Sequence, residues 1–389
     1  MPLIFFWFIT MLQIIIFFLM LFNNISFAET NDLLFHDLDD KLQYSSFNQK
    51  DIDTFRKEFN KLESKSNDLS SFQITEIKYD VNSKKFIASN VTSNFFALER
   101  VTIMLEFLNS KITKKTHLNK NFSFFVSLAD TTILPDRFIK NFDLSKVPFM
   151  LFDLSKKSFE RDTKLTFLMP DLYIIQNIYE KQRKKIIKTT MKKNYFAKKD
   201  LGIWRGSQTG GAYNLEKKEA YPRGKLVWFS HNNPTYVDAR FISYSVQTED
   251  SKSGKNYMVL MSNTFGSKPE KYFMSFKNMT MYKYNISLDG NVSAWQRVPW
   301  ILGSGTVLLY HSDFVQFFTP YLKEKIHYVS IKKNMSDLKE KIDYLRKNPF
   351  IAYQITKQAQ KFQKKVLTRN FIIDYYAKVI QGISDKFES

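Results

Sequence analysis

The sequence predicts an α/β fold in two domains, and three observations support this prediction. Short apolar runs typical of buried strands alternate with longer amphipathic runs typical of helices along most of the chain. The chain has 389 residues, more than one small core accommodates. One apolar run, 122–128, ends in Ala129-Asp130, and open α/β sheets bind their ligands at such strand ends.

Composition restricts the function before any motif is considered. The formal net charge of +20 and the pI near 9.6 favour an anionic partner, and nucleic acid, an acidic membrane surface and a sugar nucleotide all qualify. No recognised nucleic-acid-binding motif accompanies the charge, which disfavours nucleic acid. The chain has no cysteine, so disulfides, thiolate nucleophiles and cysteine-ligated zinc are excluded.

The N-terminal segment predicts targeting. Residues 3–22 are almost continuously apolar and long enough to cross a bilayer as a helix. Ser26-Phe27-Ala28 resembles a cleavage site, but no Lys or Arg precedes the run, so residues 1–28 suit either a signal peptide or an uncleaved anchor. Acidic residues after the run favour export of the following chain. We expect a membrane-associated or exported protein, and the side of the membrane stays open.

Elements of the N-terminal half follow from periodicity and turn residues. Scattered apolar positions over residues 31–70 predict one or two surface helices. Alternation between Ile77 and Val81, a turn at 82–85 and a resumption at Phe86 predict a β-hairpin. The next predicted elements are a helix over 95–108, strands over 122–128 and 147–152, and a long helix over 173–190.

The C-terminal half continues the alternation. Asn348-Pro349 predicts a helix end, and apolar residues spaced by three and four from Ile351 to Val366 predict a closing amphipathic helix. The other predicted elements are strands over 225–229 and 257–261, a helix over 293–303, a strand over 307–310 and a helix capped by Ser336.

A strongly basic segment forms the end of the long helix and the residues after it. Its cations are Lys181, Arg183, Lys184, Lys185, Lys188, Lys192, Lys193, Lys198 and Lys199. One interpretation is a solvated helix face and linker, the commoner role of such runs. The other is a patch that meets anionic lipid headgroups or an anionic acceptor.

The segment LGIWRGSQTGG, residues 201–211, indicates anion binding. Arg205 offers a planar cationic fork that suits phosphate, and Ser207 and Thr209 offer hydroxyl donors. An ordinary glycine-rich turn after a strand is the alternative, and the segment is neither a P-loop nor a dinucleotide fingerprint. The glycines that would let backbone N–H groups approach an anion are Gly206, Gly210 and Gly211.

Several segments together resemble glycosyltransferase family 90. The matching pieces, in chain order, are FFVSLAD (124–130), TFLMPDLY (166–173), WRGSQTGG (204–211), VDA (237–239), YKY (282–284), LDGN (288–291), the helix of Arg297 with its SGT ending, and HYVSI (327–331). Each piece is weak, but their order and spacing are specific. The resemblance runs from about residue 72 to 380, and the bacterial branch that modifies lipopolysaccharide is nearest.

This resemblance implies a GT-B-like fold, in which two Rossmann-like domains enclose a cleft and a C-terminal helix closes the structure. It also implies an inverting mechanism, a UDP-sugar donor, no cofactor and no metal. Asp130 matches the family's catalytic aspartate, which takes the proton of the acceptor hydroxyl as general base. Without the family, an Asp that ends a strand and caps the next turn is the commoner role.

The resemblance also assigns a donor site. Arg205 and Arg297 match the cations that meet the diphosphate of the leaving UDP. Considered alone, Arg297 suits a helix-surface arginine paired with a carboxylate. Asp289 and Gly290 are expected to shape the sugar pocket. The remaining predicted donor-site residues are Gly206, Ser207, Thr209, Gly303 and Gly305.

The chain departs from the family pattern in two respects. Gln316 and Thr319 stand where eukaryotic members have Glu and Tyr, which leaves the donor sugar open, and the cysteines that staple secretory members are missing. The expected domains are a targeting segment (1–28), an acceptor-side domain (29–200), a nucleotide-sugar-binding domain (201–350) and C-terminal helices (351–389).

Taken together, these features predict a membrane-associated inverting glycosyltransferase that moves a sugar from a UDP-sugar to a hydroxyl of a cell-envelope glycan such as lipopolysaccharide. Two alternatives stay open: transfer to a protein serine in a secretory lumen, and an inactive protein that binds anionic lipid or polysaccharide. A metal site has little support, since the five histidines are scattered. Asp51-Ile52-Asp53 suits a helix start better than a D-x-D metal motif, because no hydrophobic strand precedes it.

Overall fold

The computed structural model describes residues 28–63, 74–89, 95–128, 146–162, 166–191, 194–244 and 252–388. Two five-stranded sheets with surrounding helices organise these residues, which confirms the predicted α/β class. The predicted base Asp130 and the apolar run 3–22 lie outside the described residues.

The first sheet has the strand order β2-β1-β3-β4-β6. Its strands are β1 (Ile74–Asp80), β2 (Lys85–Ser89), β3 (Phe122–Ser127), β4 (Phe149–Leu151) and β6 (Phe167–Leu168). The β1 strand is antiparallel to β2 and β3, whereas β3, β4 and β6 are parallel. The predicted hairpin is therefore present as β1 and β2, and β3 is buried at every position, as its phenylalanine-rich sequence favours.

The second sheet, β12-β10-β9-β7-β8, is parallel throughout. Its strands are β7 (Lys199–Ser207), β8 (Val237–Ser243), β9 (Tyr282–Leu288), β10 (Val307–His311) and β12 (Val329–Ser330). The β10 strand lies where it is predicted. The apolar pattern does not predict β9, because two of its fully buried positions are the polar residues Asn285 and Ser287.

Helices flank both sheets. They are α1 (Ala28–Gln43), α2 (Gln49–Glu63), α3 (Phe95–Phe107), α4 (Lys156–Asp162), α5 (Asn177–Met191), α6 (Pro222–Asn232), α7 (Lys252–Phe265), α8 (Phe276–Met279), α9 (Arg297–Gly303), α10 (Leu338–Lys347), α11 (Pro349–Val366) and α12 (Arg369–Lys386). The segment around Asp51 is a helix start as predicted, since Asn48 Oδ1 accepts from the Asp51 N–H at 2.8 Å. No helix within the described ranges is long and apolar enough to span a membrane.

Two predicted strands are wrong. Residues 225–229 lie in α6 and residues 257–261 lie in α7. A five-residue apolar run does not distinguish a strand from a buried helix. Pro222 in the first turn of α6 supplies a helical φ. The buried side chains of α7 recur every four residues, which marks one helix face; they are Tyr257, Met261 and Phe265.

A small antiparallel sheet joins the two halves of the molecule, the first of which contains the first sheet and the second of which contains the second sheet. Its strands are β5 (Asp153–Ser155) from the first half and β11 (Phe314–Gln316) from the second. The last helix, α12, also returns to the first sheet, where the Tyr375 hydroxyl donates to the Leu168 carbonyl at 3.0 Å. Since α11 packs on β10, the expected C-terminal unit of residues 351–389 contacts both halves.

Candidate functional site

Loops from three strands of the second sheet meet at its carboxyl edge. The strands β7, β9 and β10 are adjacent and parallel, so the loops after Ser207, Leu288 and His311 lie side by side. This is the edge where open α/β sheets place their ligands. The predicted anion-binding segment, residues 201–211, ends in the loop after β7, which we call the phosphate loop. It is therefore a neighbour of the predicted sugar-pocket residues Asp289 and Gly290.

Hydrogen bonds link these loops to one another. Ser312 Oγ and the Asp313 N–H donate to the Asp289 carboxylate at 2.8 and 2.6 Å. The Gly210 N–H donates to Asn291 Oδ1 at 3.0 Å. Burial raises the pKa of Asp289 to about 7, although its two hydrogen-bond donors act in the opposite direction. Both oxygens of Asp289 already accept a hydrogen bond, so this residue shapes the pocket through the loops it joins.

Arg223, in the first turn of α6, holds the same loops together. Its Nε donates to the Asp289 carbonyl at 2.8 Å. Its Nη1 donates to the Ser207 carbonyl at 3.0 Å and to Thr209 Oγ1 at 2.5 Å. Its Nη2 lies 3.4 Å from the Leu288 carbonyl oxygen. One guanidinium group thus connects the ends of β7 and β9.

Arg297, the first residue of α9, lies beside this group. Its Nη2 donates to the Arg205 carbonyl at 2.6 Å. Its Nη1 is buried and has no hydrogen-bond partner among the described residues. The guanidinium carbons of Arg223 and Arg297 each lie 5.8 Å from the centre of the Trp204 ring. Both cations therefore rest on one buried indole.

These two guanidinium groups carry charge that the protein balances poorly. Burial lowers the pKa of Arg223 to about 10, with Asp289 offsetting part of the shift. Burial, followed by repulsion from Arg223, lowers the pKa of Arg297 to about 9. Neither group forms a salt bridge within the described part of the chain. Two desolvated cations side by side favour a bound anion.

Arg205 was expected to meet the same anion, but most of its donors contact the protein. Its Nη1 donates to the Trp204 and Asp238 carbonyls at 2.9 and 2.7 Å. Its Nη2 donates to the Asp238 carboxylate at 2.7 Å and its Nε to the Tyr272 carbonyl at 2.9 Å. These bonds use four of the five guanidinium hydrogens. Arg205 therefore fastens β7 to β8 and, through its carbonyl, orients Arg297.

Two glycines allow the loops to approach one another. Gly210 has φ +93°, in the region that favours glycine, and a Cβ there would lie 2.9 Å from the Gly290 carbonyl oxygen. A Cβ on Gly290 would lie 2.7 Å from Thr209 Oγ1 and 2.8 Å from Arg223 Nη2. Any side chain at residue 290 would therefore displace Arg223 or the phosphate loop.

The phosphate loop also contains uncommitted polar groups. Thr209 Oγ1 accepts from Arg223, which leaves its own hydrogen to donate. Gln208 is fully buried, and neither polar atom of its amide has a partner among the described residues. A buried unpaired amide indicates a missing polar contact. Gly206 serves packing instead, because its missing Cβ would lie 2.5 Å from the Trp204 ring.

The structure places Gly303 and Gly305 away from these loops. Gly303 ends α9 and Gly305 precedes β10, so both lie at the amino edge of the second sheet. A Cβ on Gly303 would meet the Gln363 side chain at 3.2 Å, and a Cβ on Gly305 would meet the Thr190 side chain at 2.5 Å. The seven-residue α9 is roughly 10 Å long and separates them from Arg297. Their predicted contact with the donor therefore has no support in this geometry.

Residues of the first half contact the segment that precedes α9 of the second half. Asp153 Oδ2 accepts from the Ser293 N–H and hydroxyl at 2.9 and 2.6 Å. Trp295, which has φ +24°, contacts Tyr173 edge-on, with ring centres 5.2 Å apart. A tryptophan rarely adopts positive φ, and such strain is common at functional sites. The segment before α9 is thus held between the two halves.

The carboxyl end of β3 lies close to Trp295. Arg100 Nη1 donates to the carbonyl of Leu128, the residue after β3, and its guanidinium lies 5.5 Å from the Trp295 ring centre. Asp130 follows two residues later, in the segment 129–145 that lies outside the described residues. Its role as general base stays a prediction.

Asp171 is a buried carboxyl group close to Tyr173, the residue that contacts Trp295. Its Oδ1 accepts from the Tyr173 and Ile174 N–H groups at 2.8 and 3.2 Å, whereas its Oδ2 has no partner among the described residues. Burial raises the pKa of Asp171 to about 7, and Asp153 adds to the shift. No cluster of three His, Cys, Asp or Glu suited to a metal occurs in the described ranges.

Arg223, Trp204 and Asp171 are site candidates that sequence reasoning did not single out. A signal existed for Arg223: Pro222 is typical of a first helical turn, and a helix there would place Arg223 at the carboxyl edge. The wrong strand over 225–229 concealed it. No pattern in the sequence marks Trp204 as the ring that contacts two guanidinium groups.

The chain is similar to several known proteins. The model of Glycosyl transferase family 90 matches residues 122–388. Protein O-glucosyltransferase 3 of Homo sapiens is 28% identical over 190 residues, which cover 46% of this chain and 34% of that protein. Protein O-glucosyltransferase 1 of Rattus norvegicus is 25% identical over 173 residues, which cover 44% of this chain and 41% of that protein.

The matched regions are limited in length. The chain spans about a third to two fifths of the length of these two relatives. A viral protein, the uncharacterized protein 179R of Invertebrate iridescent virus 6, is 35% identical over 119 residues, 28% of this chain and 10% of that protein. The crystal structure of a glycosyltransferase from Rickettsia africae ESF-5 aligns with 64% of this chain and 68% of its own, at 12% identity and a TM-score of 0.38. That TM-score is too low to support a structural argument.

Proposed function

This chain belongs to glycosyl transferase family 90, and we propose that it moves a sugar from a UDP-sugar to an acceptor hydroxyl, with inversion and without a metal ion. The pair of guanidinium groups on Trp204 carries the proposal. Arg223 and Arg297 lie beside a glycine-rich loop without a salt bridge in the described ranges, and Arg297 keeps a buried N–H group unpaired.

A nucleoside diphosphate suits this arrangement. When the bond between the sugar and the diphosphate breaks, negative charge grows on the leaving oxygen, and preorganised cations stabilise it. The pKa values of about 10 for Arg223 and about 9 for Arg297 keep both groups charged at neutral pH. Thr209 and Gln208 can donate further hydrogen bonds to the donor. Arg205 positions Arg297 through its carbonyl.

The proposed reaction is a single displacement. The acceptor oxygen attacks the anomeric carbon on the face opposite UDP, the bond from that carbon to the diphosphate oxygen breaks, and the acceptor proton passes to Asp130. Support for Asp130 comes from the family motif and from the end of β3, which Arg100 holds beside Trp295. In the GT-B-like arrangement, the second half would bind the donor and the first half the acceptor.

For the acceptor we propose a hydroxyl of a cell-envelope glycan such as lipopolysaccharide. The motifs resemble the bacterial branch of the family, and the apolar segment 3–22 suits a protein that works at a membrane or is exported. The missing cysteines agree with this choice, since secretory members are stapled by disulfides.

A protein hydroxyl is the second candidate acceptor. Several of the relatives that match are protein O-glucosyltransferases, at 24–28% identity. Gln316, which departs from the eukaryotic pattern, is 2% exposed, and its side-chain amide oxygen Oε1 has no partner in the described residues. The replacement of Glu by Gln at this buried position of β11 can alter which donor sugar is accepted.

Donor binding and transfer are tested separately. Purified protein is titrated with UDP, UDP-glucose, UDP-galactose and UDP-xylose in the presence of a chelator, and the melting temperature is recorded. We expect UDP compounds to raise it without metal. Transfer to lipopolysaccharide and to a folded EGF-like domain is then followed by UDP release, and NMR of the product gives the anomeric configuration. No response to any UDP compound would refute the proposed donor class.

The matched variant for the chemistry is Asp130→Asn, which keeps the shape but removes the base. We expect unchanged UDP binding and a transfer rate lower by about 10²–10⁴, the usual contribution of a general base. Near-normal transfer by Asp130→Asn would overturn the assignment of the base and leave the donor site unaffected.

A further inference from the structure

A basic and aromatic groove lies at the amino edge of the second sheet, away from the candidate site. A half-open cavity of about 640 Å³ is lined by α5, by the turn Tyr195–Ala197 and by α11. We call it the amino-edge groove. The residues of α11 that line it recur at spacings of three and four on one helix face; they are Tyr353, Thr356, Lys357, Gln360 and Lys364.

The chain around this groove is basic without acidic interruption. No Asp or Glu occurs between Lys181 and Lys199, or between Tyr344 and Ile373. Glu180, at the far end of the first stretch, pairs with Arg183 at 2.7 Å and lies 3.7 Å from Lys184. The exposed lysines of the two helices are Lys181, Lys184, Lys185, Lys188, Lys357, Lys361 and Lys364.

One cation of the basic segment has a different role. Lys198 is 5% exposed, and its Nζ donates to the Thr280 and Ser304 carbonyls at 2.7 and 3.1 Å. It therefore stabilises the fold. The exposed lysines of α5 and α11 are the ones that can meet a partner.

Large apolar side chains are exposed beside these lysines. Phe350 is 72% exposed and Phe196 is 41% exposed, and their ring centres lie 5.4 Å apart. Ile351 follows at 42% exposed. A soluble polyanion needs lysines but gains nothing from exposed phenylalanines. A bilayer interface accommodates both, because aromatic rings lie at headgroup level while lysines contact anionic headgroups.

We propose that the amino-edge groove docks the protein on an anionic lipid bilayer, with Phe196 and Phe350 at the interface and the lysines of α5 and α11 on the headgroups. Charge complementarity identifies this occupant. The docking is independent of the proposed sugar transfer. It would leave the carboxyl edge free, since the seven residues of β9 separate the two edges by roughly 20 Å.

Binding of the full chain to phosphatidylcholine vesicles, with and without phosphatidylserine, tests the proposal. The groove variant reverses four exposed lysines: Lys184→Glu, Lys188→Glu, Lys357→Glu and Lys364→Glu. Its matched control reverses four exposed lysines of the first half: Lys50→Glu, Lys57→Glu, Lys85→Glu and Lys114→Glu. Residues 3–22 are common to all variants, so their contribution cancels in the comparison.

We expect the groove variant to lose at least about tenfold in affinity for anionic vesicles, since each lysine near such a surface contributes roughly fivefold. The control variant should lose clearly less, and sugar transfer to a soluble acceptor should be unchanged in both. Equal losses in the two variants would mean that net charge alone attracts the protein, and would overturn the docking face.

A second pair of variants separates a bilayer from a soluble polyanion. Phe350→Ser should weaken vesicle binding, whereas Phe273→Ser, which removes an equally exposed ring elsewhere (69%), should not. In Phe350→Trp, bound anionic vesicles should shift the tryptophan emission to the blue, and brominated lipids should quench it. Binding to dextran sulfate with no vesicle-dependent emission change would refute the bilayer as partner.

Discussion

The two edges of the second sheet carry positive charge in opposite ways. At the carboxyl edge, Arg223 and Arg297 are held on Trp204 and desolvated, with pKa values lowered to about 10 and about 9. At the amino edge, lysines such as Lys357 and Lys364 are exposed. Water screens an exposed lysine, so its attraction is weak and unspecific. A buried guanidinium group attracts an anion strongly in one geometry.

Glycines show the same contrast. At the carboxyl edge, Gly290 adjoins Thr209 and Arg223, two groups of the proposed donor site. At the amino edge, the nearest neighbour of Gly303 is the side chain of Gln363, which belongs to α11. We therefore expect a side chain added at Gly290 to disturb the proposed donor site, and one added at Gly303 to leave that site intact.

Among variants that compare the two edges, the largest expected effect comes from Arg297→Met, which removes the unpaired cation and keeps much of the volume. UDP should bind more weakly, and transfer should fall by roughly 10²–10³, as when one preorganised donor is lost. Calorimetry with UDP and a transfer assay measure the two quantities. Lys198→Met at the amino edge is the control, and it should lower the melting temperature without changing UDP affinity. Unchanged UDP affinity in Arg297→Met would place the diphosphate elsewhere.

Arg205→Met sharpens the comparison within the carboxyl edge. Because Arg205 holds Asp238 and the Tyr272 carbonyl, its loss should lower the free energy of unfolding by about 2–3 kcal/mol, the scale of charged hydrogen bonds. UDP affinity should change less than in Arg297→Met. Chemical denaturation and calorimetry compare the two variants. A normal unfolding free energy with strongly weakened UDP binding would show that Arg205 contacts the donor directly.

Sequence alone predicts which residues share this edge better than it predicts their contacts. The resemblance places Arg297, Asp289 and the loop 204–211 in one site, and the structure brings them together. The sequence does not predict that Arg205 donates hydrogen bonds to Asp238, because hydrogen-bond partners that are distant in the chain leave no local pattern. Gly303 and Gly305 follow Arg297 closely in sequence, but α9 carries them to the opposite edge.

The fold is predictable to a similar degree. Runs such as 122–128 and 351–366 have a clear pattern, and the structure has a strand and a helix there. The run 225–229 is too short to define a period, and in the structure it lies in α6, which packs on β8 of the second sheet. Polar residues within β9 break the apolar pattern because Asn285 bonds to Thr306 Oγ1 at 3.1 Å, a partner visible only in the fold.

Gly290→Ala against Gly303→Ala compares the two edges directly. The added methyl at residue 290 would displace Thr209 or Arg223, and overpacking of this kind costs about 1–3 kcal/mol. UDP affinity should therefore fall by roughly tenfold or more. Gly303→Ala meets only Gln363, so UDP affinity should be unchanged. Equal UDP affinities in the two variants, measured by calorimetry, would contradict the difference between the edges.

The smallest expected effect extends the comparison to Asp171 in the first half, where the unbalanced charge is negative. Burial raises the pKa of Asp171 to about 7, against about 3.9 in the unfolded chain, so its charge destabilises the fold fully above pH 7 and not below pH 4. This pKa shift corresponds to a destabilisation of at most about 4 kcal/mol at high pH. Asp171→Asn removes that destabilisation, but its unpaired amide costs about 1–3 kcal/mol. Asp171→Asn should therefore be more stable than the unmodified protein at pH 8 by on the order of 1 kcal/mol, and no more stable at pH 4.

Thermal unfolding of Asp171→Asn and of the unmodified protein between pH 4 and pH 8 measures this difference. Asp53→Asn is the control. The pKa of Asp53 is lowered, chiefly by a hydrogen bond from Gln49 and also by Arg56, so its ionised form stabilises the fold at higher pH. Its substitution should act with the opposite sign, reducing stability at pH 8 more than at pH 4. A stability difference between Asp171→Asn and the unmodified protein that stays constant with pH would show that folding does not raise the pKa of Asp171. The first half would then lack the unbalanced charge that the second half has in Arg297.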